Sequence, residues 1–413
     1  MLMEPRKTPP IFILGGHQTD YGRNLTREGK TLADLIRETT QGALAAAEVD
    51  ASAIEVGHIG NFAGELFVGQ GHLGGLLVEA DPAFAGLPTT RHEAACASGS
   101  VAALAAMADL EAGRYDVAIV LGAELMRNGT AVQASQKLGA AAWVPRETDG
   151  LTHVWPELFS RVGDAYAERF GLDRSHLVAI AQSNFENARR NPNAQTRSWQ
   201  LGPHSFAEDA PNNPRVAGRL HKYDCSQVTD GGAAIVLASE RFARAHAART
   251  GRPLSQIIGF GHRTARMALT DKLEASRGGA YVFPEVRRAI TDAFARAGVP
   301  DVTAIDAIET HDCFTTTQYM AIDHFGITAP GESWKAIEAG TTLFGGRLPM
   351  NPSGGLMGLG HPVGASGVRM LLDAHKQITG TAGAYQVEGA KQVATLNIGG
   401  SATTSVCFVV ARS

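Results

Sequence analysis

Residues 92–107 read HEAACASGSVAALAAM, a lone cysteine among small residues immediately before a long alanine-rich apolar run. The small neighbours permit a tight backbone turn at Cys96, and the run from Val101 onward reads as a buried helix with few side chains larger than Leu or Met. A cysteine at a helix N-terminus meets unpaired amide N–H groups and the positive end of the helix dipole, both of which favour thiolate over thiol. The chemistry this setting suits is nucleophilic attack, with a lowered thiol pKa. A small buried hydrophobe is the competing reading of Cys96, as free cysteines often are. This stretch alone does not choose between them.

The elements that must hold such a residue can be read around it. Residues 11–15 form an apolar run ending at Gly-Gly, a buried strand, and residues 31–49 follow with helical spacing of Leu32, Leu35, Ile36 and Leu44. Residues 56–62 read as a second strand. Residues 117–122 (VAIVLG) are a continuous β-branched run suited to a central strand covered on both faces, which predicts a parallel sheet. From about residue 126 to 221 the texture changes to tryptophans, prolines and charged helical stretches, as in an inserted loop domain. Strands resume at 233–238, and a second series occupies 257–261, 286–297, 304–309, 361–375, 393–398 and 406–410. This second series echoes the first: IDAIETHDCF answers EVGHIGNF, HPVGASGVRMLLDAH answers CASGSVAALAAMADL, and VATLNIGG answers VAIVLGAE. A two-fold arrangement would bring the Cys96 and His361 helix starts together. The implied division is 1–126 with 222–256 as one half, 127–221 as the insertion and 257–413 as the other half.

Several classes are disfavoured. A net charge of −4 with no basic run argues against nucleic acid as a partner. The N-terminal apolar segment is too short for a signal peptide, no apolar run reaches the ~20 residues that span a bilayer, and Ala-Arg-Ser at the end is not a Ser-Lys-Leu address. The expected location is cytoplasmic. Four cysteines in 413 residues, with no CxxC pair, argue against a disulfide framework or a structural zinc site. The glycines at 358, 360 and 364 are spaced one residue too widely for GxGxxG, and no GK[ST] phosphate loop occurs.

ACASGS around Cys96, HDCF at 311–314, GHPVGASG at 360–367 and NIGG at 397–400, in this order over nearly the whole chain, resemble the thiolase superfamily. HDCF in place of the commoner NEAF is similar to the sterol-carrier-protein branch. The resemblance implies an α/β thiolase fold: two duplicated βαβαβαββ halves in a five-layered α/β/α/β/α body with an inserted loop domain, assembled as a homodimer or homotetramer. It implies an acyl-CoA C-acyltransferase running Claisen condensation or thiolysis through acyl-Cys96, with coenzyme A or acyl-CoA as substrate and no permanently bound cofactor or metal. It further implies that His361 accepts the Cys96 proton, that His311 and His361 form a pocket for an enolate oxygen, and that the backbone N–H groups of Cys96 and Gly399 hold the acylation oxyanion. Ser226 matches a serine contacting the pantetheine arm.

One departure stands out. Many thiolases carry an acid/base cysteine in a Cys-x-Gly motif where this chain has Asn397-Ile398-Gly399. The branch resemblance makes Cys313 the substitute, while Cys225 and Cys407 read as core residues. Arg161, Arg189 and Arg190 could meet the nucleotide phosphates, although a solvated helix face explains them equally. Two other functions compete: a retro-aldol lyase acting on acyl-CoA beside a small OB-fold partner protein, and a metal cage of Cys96, Cys313, His311 and His361. Retention of both cysteines and both histidines argues against the lyase. A decarboxylating ketoacyl synthase would show a Gly-Thr-Asn-Ala-His motif, which NIGGSATTS lacks.

Overall fold

The computed structural model describes residues 8–413. Its strands are β1 Ile11–Gln18, β2 Val56–Gly60, β3 Thr89–His92, β4 Val117–Glu124, a small hairpin of β5 Arg215–Ala217 and β6 Leu220–His221, then β7 Gly231–Ser239, β8 Ser255–Thr264, β9 Ala307–Thr310, β10 Gln392–Gly399 and β11 Thr404–Arg412. Apart from the hairpin they run in the order β3-β2-β4-β7-β1-β8-β11-β10-β9. The two series meet where β1 pairs with β8 through Ile11–Ile13 and Ser255–Ile257. On either side of that seam the pattern repeats. β7 is antiparallel to β1 and β4, as β11 is to β8 and β10, while β2 is parallel to β4 as β9 is to β10. The echoes in the sequence are therefore positions related by the duplication: β9 stands where β2 stands, and β10 where β4 stands.

The sheet is mixed, which corrects the parallel sheet expected from the apolar runs. Continuous hydrophobicity reports that both faces are covered, which is common in parallel sheets but does not require them. Both faces are indeed covered. In β1, β4 and β7, Phe12, Ile119 and Val236 face one cluster with helix Leu32–Ala47, while Ile13, Val120 and Ile235 face another. That second cluster is the middle layer, where helices Ser98–Glu111 and Ser366–Thr379 lie between the two halves against Val406 and Phe408 of β11. Cys407 and Val409 point the other way, to helix Pro284–Ala297. Helix, sheet, helices, sheet, helix gives five layers, and the small residues of the Cys96 run belong to the helix enclosed at the centre.

The central packing is backbone against backbone. A Cβ on Gly99 would lie 2.5 Å from Gly364 O, and one on Gly122 would lie 2.3 Å from the same oxygen. Real Cβ atoms do not approach that closely, so glycine is required at both positions for steric reasons. A buried cluster adds a polar tie: Arg369 Nη1 donates to Glu309 Oε2 at 2.6 Å, to Ser353 Oγ at 3.0 Å and to Asp373 Oδ2 at 3.1 Å, joining β9 to helix Ser366–Thr379. From the inserted segment, helices Val154–Phe170 and Arg174–Ala188 pack on helix Thr315–Phe325. No helix among the described residues is long and apolar enough to cross a membrane.

Gly122→Ala should therefore lower folding stability by about 1–3 kcal/mol, as overpacking does, and should reduce activity further by displacing the loop that follows His361. Denaturant titration of the purified variant measures the first effect. A native transition midpoint would contradict the close-approach argument.

Candidate active site

Cys96 sits in a turn that the backbone strains to make. Ala95 adopts φ 51°, a left-handed conformation costly for alanine, and the turn is held by Ala97 N–H to Ala94 O at 3.0 Å. Ser98 Oγ accepts from Ala94 N–H at 2.9 Å and donates to Ala95 O at 2.6 Å. Helix Ser98–Glu111 begins two residues after the cysteine, with Ala97 as a cap that offers no side-chain hydrogen bond. The Cys96 sulfur thus projects from a fixed corner into a cavity of about 550 Å³.

His361 reaches the same cavity from the opposite half. Asp312 of HDCF accepts Leu356 N–H at 2.6 Å and Asn184 Nδ2–H at 2.8 Å, which anchors the π-helical turn Gly355–Leu359 just before His361. His361 N–H donates to Thr229 Oγ1 at 2.9 Å. Its Nδ1 lies 2.7 Å from Ser366 Oγ, and that hydroxyl donates its proton to Pro362 O at 3.0 Å. The hydroxyl must therefore accept from the imidazole, which places the ring proton on Nδ1 and leaves Nε2 as a lone pair. Nε2 is buried and has no hydrogen-bond partner among the described residues.

His311 takes the opposite tautomer. Ile398 N–H points at its Nδ1 from 3.3 Å, and a backbone N–H can only donate, so the proton belongs on Nε2. The two rings stand edge to face, with centroids 5.2 Å apart. One ligand-capable atom from each of Cys96, His311 and His361 lies within 4.8 Å of the others. The site therefore combines a thiol, an imidazole whose bare Nε2 is set by Ser366, and a second imidazole whose Nε2–H can donate. Cys313 does not join that group, so the four-ligand metal cage considered from the sequence does not form.

Burial decides the charge state. It carries His361 down to about 3 and His311 well below its ordinary value, with the Arg369 guanidinium adding to both. Both imidazoles are neutral at pH 7. Burial also pushes the Cys96 thiol up to about 12, against the opposing backbone N–H of Gly400. Burial thus acts against the low-pKa thiolate expected from the helix terminus. The helix terminus contributes a fraction of a charge, and loss of hydration at the half-buried Cys96 opposes it. With its pKa raised, Cys96 rests as a thiol.

The remaining expected residues fall around this core. Cys313 lines the cavity with Sγ 3.7 Å from Thr317 Oγ1, and burial raises its pKa well above the usual thiol range. Cys225, read from sequence as a core residue, is half-buried on the cavity wall, whereas Cys407 lies buried in β11. Ser226 lines the cavity and donates its N–H to Cys313 O at 2.8 Å. Gly399 ends β10, where an added Cβ would strike Ala94 O at 2.1 Å, and Gly400 is the residue that faces the cavity. Arg161, Arg189 and Arg190 do not line it; Arg189 and Arg190 pair with Glu186 and border a separate hollow with Lys376. The cations on the main cavity wall are Arg215 and Lys222. Phe62, Met126, Leu138, Trp155, Phe159 and Phe314 supply its apolar surface.

Several supporting residues escaped the sequence reading. Glu124, raised to about 7 by burial, accepts from Phe62 N–H at 2.7 Å and Gly364 N–H at 3.2 Å, so it links both halves beside Cys96. A charged residue ending the apolar run VAIVLGAE was the available signal. Lys272 donates to Ser401 Oγ at 2.7 Å and Thr403 Oγ1 at 2.9 Å, bracing the loop of Gly400, and nothing in its local sequence announces this.

Comparison with known proteins agrees with this geometry. A family model described as "Thiolase, N-terminal domain" matches residues 11–241, and "Thiolase C-terminal domain-like" matches 268–412. The chain is 31% identical over 405 residues to an acetyl-CoA acetyltransferase of Methanothermobacter thermautotrophicus, covering 97% of this chain and 99% of that one. It is 28% identical over 400 residues to sterol carrier protein 2 of Bos taurus, covering 94% and 70% respectively. A solved structure of an "Ltp2-ChsH2(DUF35) aldolase" superposes with a TM-score of 0.79 at 21% identity, covering 98% of this chain and 99% of that one.

If Cys96 rests as a thiol, its alkylation by iodoacetamide in the free protein should accelerate about tenfold per pH unit between pH 7 and pH 10, because thiolate is the minor form throughout. Peptide mapping of the labelled cysteine against pH gives the curve. A plateau beginning near neutrality would mean that the helix terminus wins after all.

Proposed function

Since the chain belongs to the thiolase family, whose models cover both of its halves, we propose that it is an acyl-CoA C-acyltransferase of the 3-ketoacyl-CoA thiolase or acetyl-CoA acetyltransferase type. The observation that carries this reading is the meeting of Cys96, His361 and His311 at one end of an apolar cavity, with Cys313 on its wall. As Cys96 Sγ attacks a thioester carbonyl, His361 Nε2 takes its proton. The tetrahedral oxyanion lies toward the backbone N–H groups of Cys96 and the Gly399-Gly400 turn. Collapse breaks the bond to the CoA sulfur, which leaves with the Cys313 proton. Cys313 is then a thiolate and His361 an imidazolium.

The second half returns both protons. Cys313 removes the α-proton of a second acyl-CoA, and the enolate oxygen is held by the His311 Nε2–H. The enolate carbon attacks acyl-Cys96, giving a 3-ketoacyl-CoA and a Cys96 thiolate that recovers its proton from His361. Raised thiol pKa values suit this cycle, because both cysteines begin and end protonated. The pantetheine arm passes Ser226, with Arg215 and Lys222 as the cations available to phosphate. The reading includes a cytoplasmic homodimer or homotetramer.

The rival is retro-aldol cleavage of an acyl-CoA, suggested by the structural neighbour named as the Ltp2-ChsH2(DUF35) aldolase, and one assay separates the two. A 3-ketoacyl-CoA should give two shorter acyl-CoAs only when free CoA is added. Breakdown of a 3-hydroxyacyl-CoA to a ketone or aldehyde, indifferent to CoA, would establish the lyase instead. Within the transferase, Cys313→Ala should still acylate at Cys96 yet exchange the α-protons of bound acyl-CoA with deuterium on the order of 100-fold more slowly. Undiminished exchange would move the base to another group.

A further inference from the structure

Asn397 is buried near the end of β10 and touches both halves of the site. Its Nδ2 lies 3.1 Å from His311 Nδ1, and its Oδ1 lies 2.8 Å from Ser100 Oγ, on the first turn of the helix that follows Cys96. The orientation of the amide follows from a group that cannot flip. Ile398 N–H already donates to His311 Nδ1, so that nitrogen is an acceptor, and the amide must turn its NH₂ toward it. The amide oxygen then faces Ser100, whose hydroxyl donates. One unbroken chain results: Ser100 O–H to Asn397 C=O, Asn397 N–H to His311 Nδ1, and His311 Nε2–H into the cavity.

We propose that Asn397 is a positioning residue, which holds His311 in its Nε2–H tautomer and ties that donor to the helix carrying the nucleophile. The assignment deepens the acyltransferase reading, in which the His311 N–H holds the enolate oxygen. Its physical content is orientation. With its backbone partner Ile398 N–H at 3.3 Å, the imidazole could tilt or take up a proton on Nδ1; a second donor on the same nitrogen opposes both. The link to Ser100 makes the nucleophile helix and the donor ring one rigid unit across the two halves. A Cβ on Gly367 would come within 2.2 Å of Ser100 Oγ and 2.5 Å of Asn397 Oδ1, so helix Ser366–Thr379 leaves room for this bond and little else.

The titratable and charged groups around His311 are His361 and Cys96 in the cavity, Cys313 two residues on, Asp312 turned to the Gly355–Leu359 turn, and Arg369 paired with Glu309 and Asp373. Asn397→Asp changes one atom and reverses the polarity of the contact: a carboxylate can only accept, so it draws a proton onto Nδ1. Nitrogen-15 NMR of labelled histidines in the ligand-free protein, with His311 assigned from the spectrum of a His311→Gln variant, reads this directly. The native protein should show His311 Nδ1 as the bare nitrogen and no titration of that ring near neutral pH. Asn397→Asp should show a protonated Nδ1 and a titration midpoint raised by at least about one unit. Asn397→Leu, similar in size but unable to donate, should lower kcat on the order of tenfold with KM changed less than about twofold. An unchanged His311 tautomer and titration in Asn397→Asp would overturn the proposal, as would native kcat in Asn397→Leu. Circular dichroism confirms that each variant is folded, and if the aspartate variant does not fold the leucine variant still decides. The NMR readout needs no substrate, so it stands or falls separately from the acyltransferase assay.

Discussion

The catalytic end of this protein depends on how closely one stretch of backbone approaches another. Gly364 O sits against Gly99 of the central helix and Gly122 of β4, at positions where any side chain would collide. The distance is set by main-chain atoms and cannot be retuned by rotamers. It places the segment from His361 to Ser366, which belongs to the second half, beside the turn of Cys96, which belongs to the first. The duplicated architecture then has a consequence: a two-fold repeat sends two glycine- and serine-rich loops toward one another, one carrying Cys96 and the other His361.

Desolvation supplies the second constraint. The same packing that brings the residues together strips water from them, and it keeps both imidazoles neutral and both thiols protonated. A neutral resting site costs less to bury than a thiolate–imidazolium pair. It also suits the proposed proton movements, because a thiol held above its ordinary pKa attacks in concert with a base. The hydrogen bonds to Ser366 and Ile398 give the two histidines opposite tautomers, so one accepts while the other donates. Their roles come from what each Nδ1 touches.

Much of the fold was legible because backbone geometry restricts residue choice. A helix enclosed between two sheets must be small and apolar all round, and residues 98–111 announce this through alanine, glycine and serine. Loops that touch main chain to main chain must contain glycine, which made GHPVGASG and NIGG visible. The echo between the two series also held, with β9 and β10 standing where β2 and β4 stand. Strand direction was not legible, since a continuous apolar run does not require a parallel sheet. Nor were the holding roles of Asn397, Thr229, Ser366 and Lys272, ordinary polar residues whose partners only the tertiary fold selects. The opposing effect of burial on the Cys96 thiol was not legible, because the helix terminus is local and readable whereas burial is a property of the whole fold. Cys225 was missed for a similar reason: the β-bridge it makes with Phe314 turns it toward the cavity, and no neighbour in sequence reveals that.

Everything proposed for the reaction passes through one covalent intermediate, and that intermediate can be caught. The protein is mixed with an acyl-CoA, quenched in acid within the first turnover, and mapped by peptide mass spectrometry. The peptide containing Cys96 should gain a mass equal to the acyl group and lose it again when free CoA is added before the quench. An unmodified Cys96 during active turnover, or an acyl group found instead on Cys313 or Cys225, would contradict the assignment of Cys96 as the nucleophile.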